Sequence, residues 1–305
     1  MPATDEFSFL PAQAADAGVE VPTVARVSLT LPDGRTLSGL RWGDDAPRVT
    51  FLHGAGLNAH TWDTTLLHLG TPALALDLAG HGDSSWRDDA AYVGRVLAPD
   101  VAAALDAWTD RPQVVVGHSL GGLTAAALAA SRPDLVDQVV IVDITPGIDP
   151  SGGPAQLRAF FAGPTDWATR DELVEKALSF GLGGSRSAAE RGVFLNTRVR
   201  PDGRVEWKHH FAHLAAAAAT ADADTETPDA LRAVLAADGW DDLAAVSAPI
   251  LMVRGDHGFV TADDAAELVA RAPRAEVRVV ATGHNVQEED PAGLAALVRE
   301  RVDGA

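Results

Sequence analysis

A short apolar run that turns at a serine into an alanine-rich segment is the feature that most constrains this chain. Residues 113–130 read QVVVGHSLGGLTAAALAA. Strand-forming valines precede Gly117, and a helix-forming stretch follows Gly121. Glycines on both sides of Ser119 permit a tight turn, because a β-carbon there would obstruct the close approach of strand and helix. The pattern predicts a strand, a sharp turn that presents the Ser119 hydroxyl, and then a helix.

The rest of the chain repeats the alternation of strand and helix. Seven further apolar segments are typical of strands, at 24–31, 36–43, 48–54, 73–77, 138–143, 249–255 and 276–283. Stretches with helical spacing separate the later ones, which favours a parallel sheet. The turn-forming residues 31–35 join the first two segments, so these two are expected to form an antiparallel hairpin that leads into the sheet.

Residues 147–240 do not follow this alternation of strands and helices. The segment is mostly helical in pattern, with capping boxes expected at Thr169 with Glu172 and at Ser187 with Glu190. A hairpin is expected within 198–207, and the acidic stretch 221–229 is expected to be a solvated loop. The sequence therefore predicts one α/β domain interrupted by a helical insertion, after about twenty loose residues at the N-terminus.

Composition excludes several classes of function. The 305 residues carry a formal net charge of −19, which opposes binding to nucleic acid and to anionic membranes. No cysteine is present, so disulfides, thiolate metal sites and a cysteine nucleophile are ruled out. The first residues show no basic stretch followed by an apolar one, so we expect neither export nor membrane insertion but a cytoplasmic protein, monomeric or homodimeric.

Two backbone N–H groups are candidates to stabilise negative charge near Ser119. The N–H of Leu120 stands at the start of the predicted helix, where it can point at a developing oxyanion. The segment Phe51-Leu52-His53-Gly54-Ala55-Gly56 ends the third predicted strand, and its turn can offer the N–H of Ala55. We therefore expect an oxyanion hole formed by Ala55 and Leu120.

Four motifs together resemble those of the α/β-hydrolase fold superfamily. They are HGAGLNAHTW at 53–62, DLAGHGDS at 77–84, GHSLGG at 117–122 and GHNVQEEDP at 283–291. The resemblance implies a mostly parallel eight-stranded sheet with helices on both faces and a helical cap inserted after the sixth strand. It divides the chain into an N-terminal extension at 1–23, a core domain at 24–146 and 241–305, and a cap at 147–240. It also implies that His284 is the base that activates Ser119.

The acid that orients His284 has two candidates. Asp256 follows the seventh predicted strand, 28 residues before His284, but the position that resembles the usual acid site of the family is Gly258. Asp143 follows the sixth predicted strand, and some related subfamilies take their acid from that strand. Both lie at carboxyl ends of strands, where such sheets form their sites. Asp143 is favoured, and Asp256 stays the alternative.

These residues predict a carboxylesterase with a Ser119, His284 and Asp143 triad, acting on a small-molecule ester with a small or medium acyl group. Cleavage of a lactone, a thioester or a carbon–carbon bond by the same triad is an alternative, and a non-catalytic small-ligand binding protein is an alternative of another class. No metal or organic cofactor is required. Candidates for contact with substrate are His53, Gly54, His118, Phe160 and Trp167, although the cap aromatic residues could equally form the core of the cap.

One pair of histidines has the spacing of metal ligands. His209 and His213 are four residues apart, which would place them on one face of a helix. No third ligand and no HExxH motif accompany them, so amphipathic cap residues are the preferred interpretation.

Overall fold

An eight-stranded sheet forms the centre of the protein. The structure is a computed structural model and describes residues 5–149, 151–220 and 239–304. The strands are β1 (Val24–Thr30), β2 (Thr36–Trp42), β3 (Val49–Leu52), β4 (Ala73–Asp77), β5 (Gln113–His118), β6 (Val136–Val142), β10 (Ile250–Gly255) and β11 (Ala275–Val280). Their order is β1-β2-β4-β3-β5-β6-β10-β11. β2 pairs antiparallel with β1 and β4, and the other neighbours are parallel. The predicted hairpin and mostly parallel sheet are confirmed.

Helices cover both faces of this sheet. They are α1 (Leu10–Ala17), α2 (Asp63–Leu69), α3 (Gly94–Trp108), α4 (Leu120–Ser131), α9 (Trp240–Ala245), α10 (Ala262–Arg271), α11 (Val286–Glu289) and α12 (Pro291–Asp303). One hydrophobic cluster joins the sheet to α3, α4, α9 and α10. A second joins the opposite face to α1, α2 and α12. Strands buried on both faces read as continuous apolar runs, which is why β3, β4 and β5 contain few polar residues.

The N-terminal residues differ from the expectation of a loose segment. Helix α1 packs on α2, with Leu10 and Ala14 buried against the sheet cluster. Pro11 lies in the first turn of α1, and Gly18 ends the helix at a φ of 70°. These are ordinary start and stop signals for a helix. The sequence prediction missed the helix because only two apolar residues, one turn apart, mark its buried face.

The residues between β6 and β10 form a smaller layer beside the large sheet. It contains α5 (Gly153–Phe161), α6 (Arg170–Ser179), α7 (Arg186–Asn196) and α8 (Phe211–Thr220), with the short strands β7 (Asp166–Trp167), β8 (Thr197–Val199) and β9 (Val205–Trp207). The hairpin expected within 198–207 is confirmed as β8 and β9. These elements have their own hydrophobic cluster. The division of the chain into core and cap domains stays a prediction, and 221–229 lies outside the described residues.

The two expected helix caps have different outcomes. The Thr169 side chain accepts a hydrogen bond from the N–H of Glu172 at the start of α6, as expected. At α7 the capping residue is Ser185, which accepts from the N–H of Ala188, so the capping box predicted at Ser187 is wrong. The helix cap is therefore two residues earlier than predicted, and the first buried residue of α7 is Ala189. Within the described ranges, no helix is both long and apolar enough to cross a membrane.

Candidate active site

Ser119 occupies the turn between β5 and α4. Its backbone φ is 51°, a conformation that is costly for a residue with a β-carbon and that clusters at functional sites. A β-carbon at Gly117 would lie 2.2 Å from the carbonyl oxygen of Gly121, and one at Gly121 would lie 2.1 Å from that of Leu52. The turn therefore requires both glycines. Among the described residues, none forms a hydrogen bond with the Ser119 hydroxyl.

Two buried N–H groups beside Ser119 lack acceptors. The residues Ala55 and Leu120 are 7% and 0% exposed. Within the part of the chain that is described, neither backbone N–H has a hydrogen-bond acceptor. Buried N–H groups without a partner are rare, because each loses its hydration without compensation. Both N–H groups therefore have an unused hydrogen bond; Ala55 lines the cavity described below, whereas Leu120 is covered by protein, and the oxyanion hole stays a prediction.

The loop that carries Ala55 is held in place by Asp77 at the end of β4. The buried Asp77 carboxylate accepts hydrogen bonds from the N–H of Ala59 at 2.8 Å and from Arg26 at 2.7 Å. Burial alone would raise the pKa of Asp77, but Arg26 and the N–H donors hold it below its ordinary value. A charged carboxylate at this point ties the loop after β3 to the sheet.

His284 lies in the loop between β11 and α11 and contacts Asp143. Its Nδ1 is 2.9 Å from Oδ2 of Asp143. Its backbone oxygen is 3.1 Å from Nε2 of His118, and its ring stacks on Phe259 with centroids 3.6 Å apart. Asp143 and Phe259 thus hold the imidazole, while His118 holds the backbone of His284. No hydrogen bond to Nε2 comes from the described residues, so this nitrogen can accept a proton.

The two candidate acids occupy very different positions. The Asp143 side chain is completely buried, and its carboxylate also accepts from the N–H of Gly255 at 3.1 Å and of Phe259 at 2.6 Å. Asp256 has a side chain that is 50% exposed and that pairs with His257. The structure therefore brings Asp143 to His284 and leaves Asp256 at the surface.

The glycine at the usual acid position of the family has a clear geometric basis. A β-carbon at Gly258 would lie 2.3 Å from Oδ2 of Asp143. The carboxylate that reaches His284 from the end of β6 thus fills the space that a side chain at 258 would need. Glycine is the residue that leaves this space open.

Ser119 and His284 line the same cavity, which has a volume of about 670 Å³. Of the candidates for substrate contact, His118 and Phe160 also line it, whereas His53, Gly54 and Trp167 do not. The prediction that these three contact substrate is therefore not supported. The His53 ring lies below the loop, with Nδ1 2.8 Å from the oxygen of Gly54 and Nε2 accepting from Leu78. Trp167 packs on Trp207 within the insertion.

Sequence reasoning missed several residues that belong to the cavity. Phe259 belongs to none of the motifs found in the sequence, and its stacking on His284 depends on the path of the loop after β10. Residues of α1 line the cavity because that helix packs beside α2. Arg191 and Gln287 line it from α7 and α11. None of these contacts has a signal in residue spacing alone.

The histidine pair considered as a metal site does not share a helix face. Helix α8 begins at Phe211, so His209 precedes it. His209 is buried against Phe161 and Trp207, while His213 packs on Trp86. Within the described ranges, no group of three or more histidine, aspartate or glutamate side chains is arranged to hold a metal ion.

Comparison with known proteins is consistent across sequence and structure. A model of the alpha/beta hydrolase family matches residues 51–297. The esterase Rv0045c of Mycobacterium tuberculosis is 38% identical over 310 aligned residues, which cover 98% of this chain and 96% of the relative. A solved structure of that esterase superposes with a TM-score of 0.81 and covers 99% of each chain. A structure of an E-2-(acetamidomethylene)succinate hydrolase has a TM-score of 0.76, and the superposition covers 92% of this chain and 100% of that one. Because the two sequences are only 23% identical, this likeness supports the fold alone.

Proposed function

The chain belongs to the α/β-hydrolase family, and from this premise we propose that it is a serine hydrolase that cleaves carboxylic esters with a small or medium acyl group. Similarity to an esterase over nearly the whole length supports ester hydrolysis. The observation that carries the finer proposal is that His284, which contacts the buried Asp143, lines the same cavity as Ser119. A base held by a buried acid beside a strained serine is the arrangement that activates a hydroxyl nucleophile.

The proposed reaction proceeds through an acyl-enzyme. Nε2 of His284 takes the proton of the Ser119 hydroxyl, and the serine oxygen attacks the ester carbonyl. The unpartnered N–H groups of Ala55 and Leu120 stabilise the negative oxygen that forms. The proton on His284 then passes to the departing alcohol, and the ester C–O bond breaks. Water, activated by His284, attacks the acyl-enzyme and releases the acid.

Asp143 has two tasks in this scheme. Its carboxylate accepts from Nδ1 of His284, and a proton held on Nδ1 leaves Nε2 as the acceptor for the Ser119 proton. It also stabilises the imidazolium that forms when His284 is protonated. The two backbone N–H donors from Gly255 and Phe259 hold the carboxylate in the orientation that both tasks need.

The insertion between β6 and β10 is proposed to act as a cap that accepts the acyl chain. Aromatic and aliphatic side chains of this insertion line the cavity that Ser119 also lines, and they include Leu157, Phe160, Phe161, Phe180, Leu182, Val193, Leu195 and Trp207. A β-carbon at Gly56 would lie 2.1 Å from Phe161, so the insertion packs directly onto the loop that carries Ala55. Apolar walls favour an aliphatic acyl group, and the cavity volume of about 670 Å³ is typical of a small-molecule site.

Hydrolysis of nitrophenyl esters from acetate to dodecanoate tests this proposal. The wild type is compared with Ser119→Ala, Asp143→Asn and Asp256→Asn. We expect a maximum at a short or medium chain, loss of activity in Ser119→Ala, and a decrease of about 10⁴-fold in kcat for Asp143→Asn, as for a triad acid that can no longer fix the histidine tautomer. Asp256→Asn is the matched control and should retain wild-type activity. Full activity in Asp143→Asn would contradict the assignment.

A further inference from the structure

Asn58 joins the loop after β3 to the insertion. The residue is buried, at 3% exposure. Its Nδ2 donates to the backbone oxygen of Leu195 at 3.0 Å and to Oδ1 of Asn196 at 2.8 Å. Both acceptors belong to the last turn of α7. One buried side chain therefore connects the loop that carries Ala55 to a residue 137 positions later in the chain.

The partners of the Asn58 amide fix its orientation. Oδ1 accepts from the N–H of His60 at 2.9 Å and so caps the short helical turn Ala59–Trp62. A backbone N–H can only donate and the backbone oxygen of Leu195 can only accept, so the amide cannot be turned over without losing both contacts. The NH2 group of Asn58 must therefore face the end of α7.

Ala55 lies in a short turn directly before Asn58. The N–H of Leu57 donates to the oxygen of Gly54 at 3.2 Å and closes this turn. Gly54 and Gly56 flank Ala55, and glycine permits more backbone conformations than other residues do. One hydrogen bond within a turn that contains two glycines leaves the direction of the Ala55 N–H weakly defined. Contacts from outside the turn must therefore define it.

The contacts that hold this turn come from both parts of the structure. The N–H of Ala59 is bound to the buried Asp77 at the end of β4. Phe161 of the insertion packs against Gly56, and the end of α7 accepts from Asn58. Ala59 is thus held by the sheet, whereas Gly56 and Asn58, which lie nearer in the chain to the expected oxyanion donor, are held by the insertion.

Small displacements of an oxyanion donor have large effects on rate. The donor must lie about 2.7–3.1 Å from the negative oxygen. A displacement of about 1 Å can reduce the rate about a hundredfold. Both ends of the Asn58 amide are bound to protein, so the side chain acts through the turn rather than on the substrate. A residue that orients the Ala55 N–H in this way affects the energy of the transition state.

We propose that Asn58 is a positioning residue that orients the N–H of Ala55 through its bonds to the end of α7, so that the oxyanion hole is complete only while the insertion is docked on the loop. This inference rests on the proposed hydrolase function and adds to it a residue that couples the insertion to the rate of the chemical step. Loss of the coupling lowers kcat and leaves KM nearly unchanged, because binding of the substrate does not use the oxyanion hole.

The variant Asn58→Ser separates the bonds to α7 from the cap of the turn Ala59–Trp62. Serine caps helical turns about as well as asparagine does, but its side chain is too short to reach Leu195. We expect kcat for nitrophenyl hexanoate to decrease about ten- to a hundredfold with little change in KM. The acid limb of the pH profile, which His284 sets in the proposed reaction, should not move. An unchanged kcat, a change in KM alone, or a shifted acid limb would overturn the inference.

Lys208→Met is the control for a general weakening of the insertion. Nζ of Lys208 lies 3.0 Å from a carboxylate oxygen of Asp83 in the core, and neither residue lines the cavity. This variant removes a contact between insertion and core without affecting the loop of Ala55, so it should keep the kcat of the wild type. An equal decrease in Lys208→Met and in Asn58→Ser would contradict the assignment to Asn58.

Asn196→Ala tests the same contact from the insertion. It removes one of the two acceptors of the Asn58 amide, so it should decrease kcat less than Asn58→Ser does. The double variant should be no slower than Asn58→Ser, because residues that act through one contact show non-additive effects. If the two losses multiply in the double variant, the residues act independently and the proposed coupling is wrong.

Amide hydrogen exchange separates this inference from the proposed function. Exchange in the loop 53–60 is compared between the wild type, Asn196→Ala and Lys208→Met, none of which differs in the sequence of that loop. Faster exchange in Asn196→Ala but not in Lys208→Met supports the coupling whether or not any ester is cleaved. Unchanged exchange in Asn196→Ala overturns it even if esterase activity is found. A wild type that cleaves no ester counts against the proposed function alone.

Discussion

A β-carbon at residue 258 would lie 2.3 Å from the carboxylate of Asp143. The glycine and the aspartate therefore occupy complementary space, although 115 positions separate them in the chain. The carboxylate approaches His284 from the end of β6. Residue 258, in the loop after β10, is a glycine and has no side chain in the space that the carboxylate occupies. The pair explains why the carboxylate that contacts His284 comes from the end of β6 and not from residue 258.

Moving the acid between these two positions tests this relationship. Asp143→Gly should decrease kcat by about 10⁴-fold, as loss of the orienting carboxylate does in other triads. Gly258→Ala alone should also decrease kcat, because its β-carbon displaces the Asp143 carboxylate. The double variant Asp143→Gly with Gly258→Asp opens the space and refills it from the other strand, so we expect more activity than in Asp143→Gly. Steady-state kinetics measure all three, and a double variant no better than Asp143→Gly would contradict the account.

Phe259 should affect the chemical step more than substrate binding. Its ring stacks on His284, so the side chain limits the motion of the imidazole. Its backbone N–H donates to Asp143, and a substitution of the side chain keeps this donor. Phe259→Leu keeps an apolar side chain but removes the aromatic face, which also favours the imidazolium by about 0.5–1 kcal/mol. We expect kcat to decrease about three- to tenfold with little change in KM. A change confined to KM would assign Phe259 to substrate contact instead.

Arg26 should be essential for stability because it balances buried charge. It contacts the fully buried Asp77, which holds the loop of Ala55, and it also pairs with Glu6 near the N-terminus. Arg26→Leu leaves the Asp77 carboxylate without its partner and should decrease the free energy of unfolding by about 3–5 kcal/mol. Arg132→Leu, at an exposed pair with Asp106, is the control and should cost less than about 1 kcal/mol. Urea denaturation measures both, and similar losses would refute the distinction.

Stability should decrease in mild acid because of buried histidines between the core loops and the insertion. The rings of His53 and His81 have centroids 4.9 Å apart, and those of His81 and His209 are 6.4 Å apart. Burial lowers the pKa of all three, and that of His209 to about 3. Below the ordinary histidine pKa the unfolded chain binds protons that the folded chain does not, so the free energy of unfolding falls as pH decreases from about 6.5.

The variant His209→Phe isolates one of these contributions. A histidine with a folded pKa near 3 should cost about 2 kcal/mol of stability between pH 6.5 and pH 5. His209→Phe keeps an aromatic ring beside Phe161 and Trp207 and removes the titrating group. Its stability should therefore fall less over this pH interval than that of the wild type. His257→Phe, at an exposed position, should follow the wild type, and a His209→Phe curve parallel to the wild type would disprove the assignment.

Local sequence patterns predicted most of the sheet. The strand, turn and helix at 113–131 could be foreseen because valines, flanking glycines and alanines each favour the structure that they adopt. The hairpin of β8 and β9 was also predictable from its turn residues. Helix α1 was not, because its short buried face gives a weak periodic signal, and the start of α7 was placed two residues too late because both serines can cap a helix.

Ser119 was easier to predict from the sequence than the acid and the residues that line the cavity. Ser119 follows from the turn, but Asp143 and Asp256 both end neighbouring strands, and only the orientation of each carboxylate distinguishes them. The separate walls of the cavity combine residues from α1, α7 and α11, which tertiary packing brings together. The spacing of residues along the sequence does not predict such contacts between distant segments.

Covalent labelling of Ser119 is the most direct test of the central claim. The protein is incubated with an alkyl fluorophosphonate, which reacts with activated serine hydroxyls, and the intact mass and the labelled peptide are determined. We predict one adduct per chain, located on Ser119, with no adduct in Ser119→Ala and much slower labelling in Asp143→Asn than in Asp256→Asn. An unlabelled wild type, or an adduct on another residue, would contradict the claim that His284 and Asp143 activate Ser119.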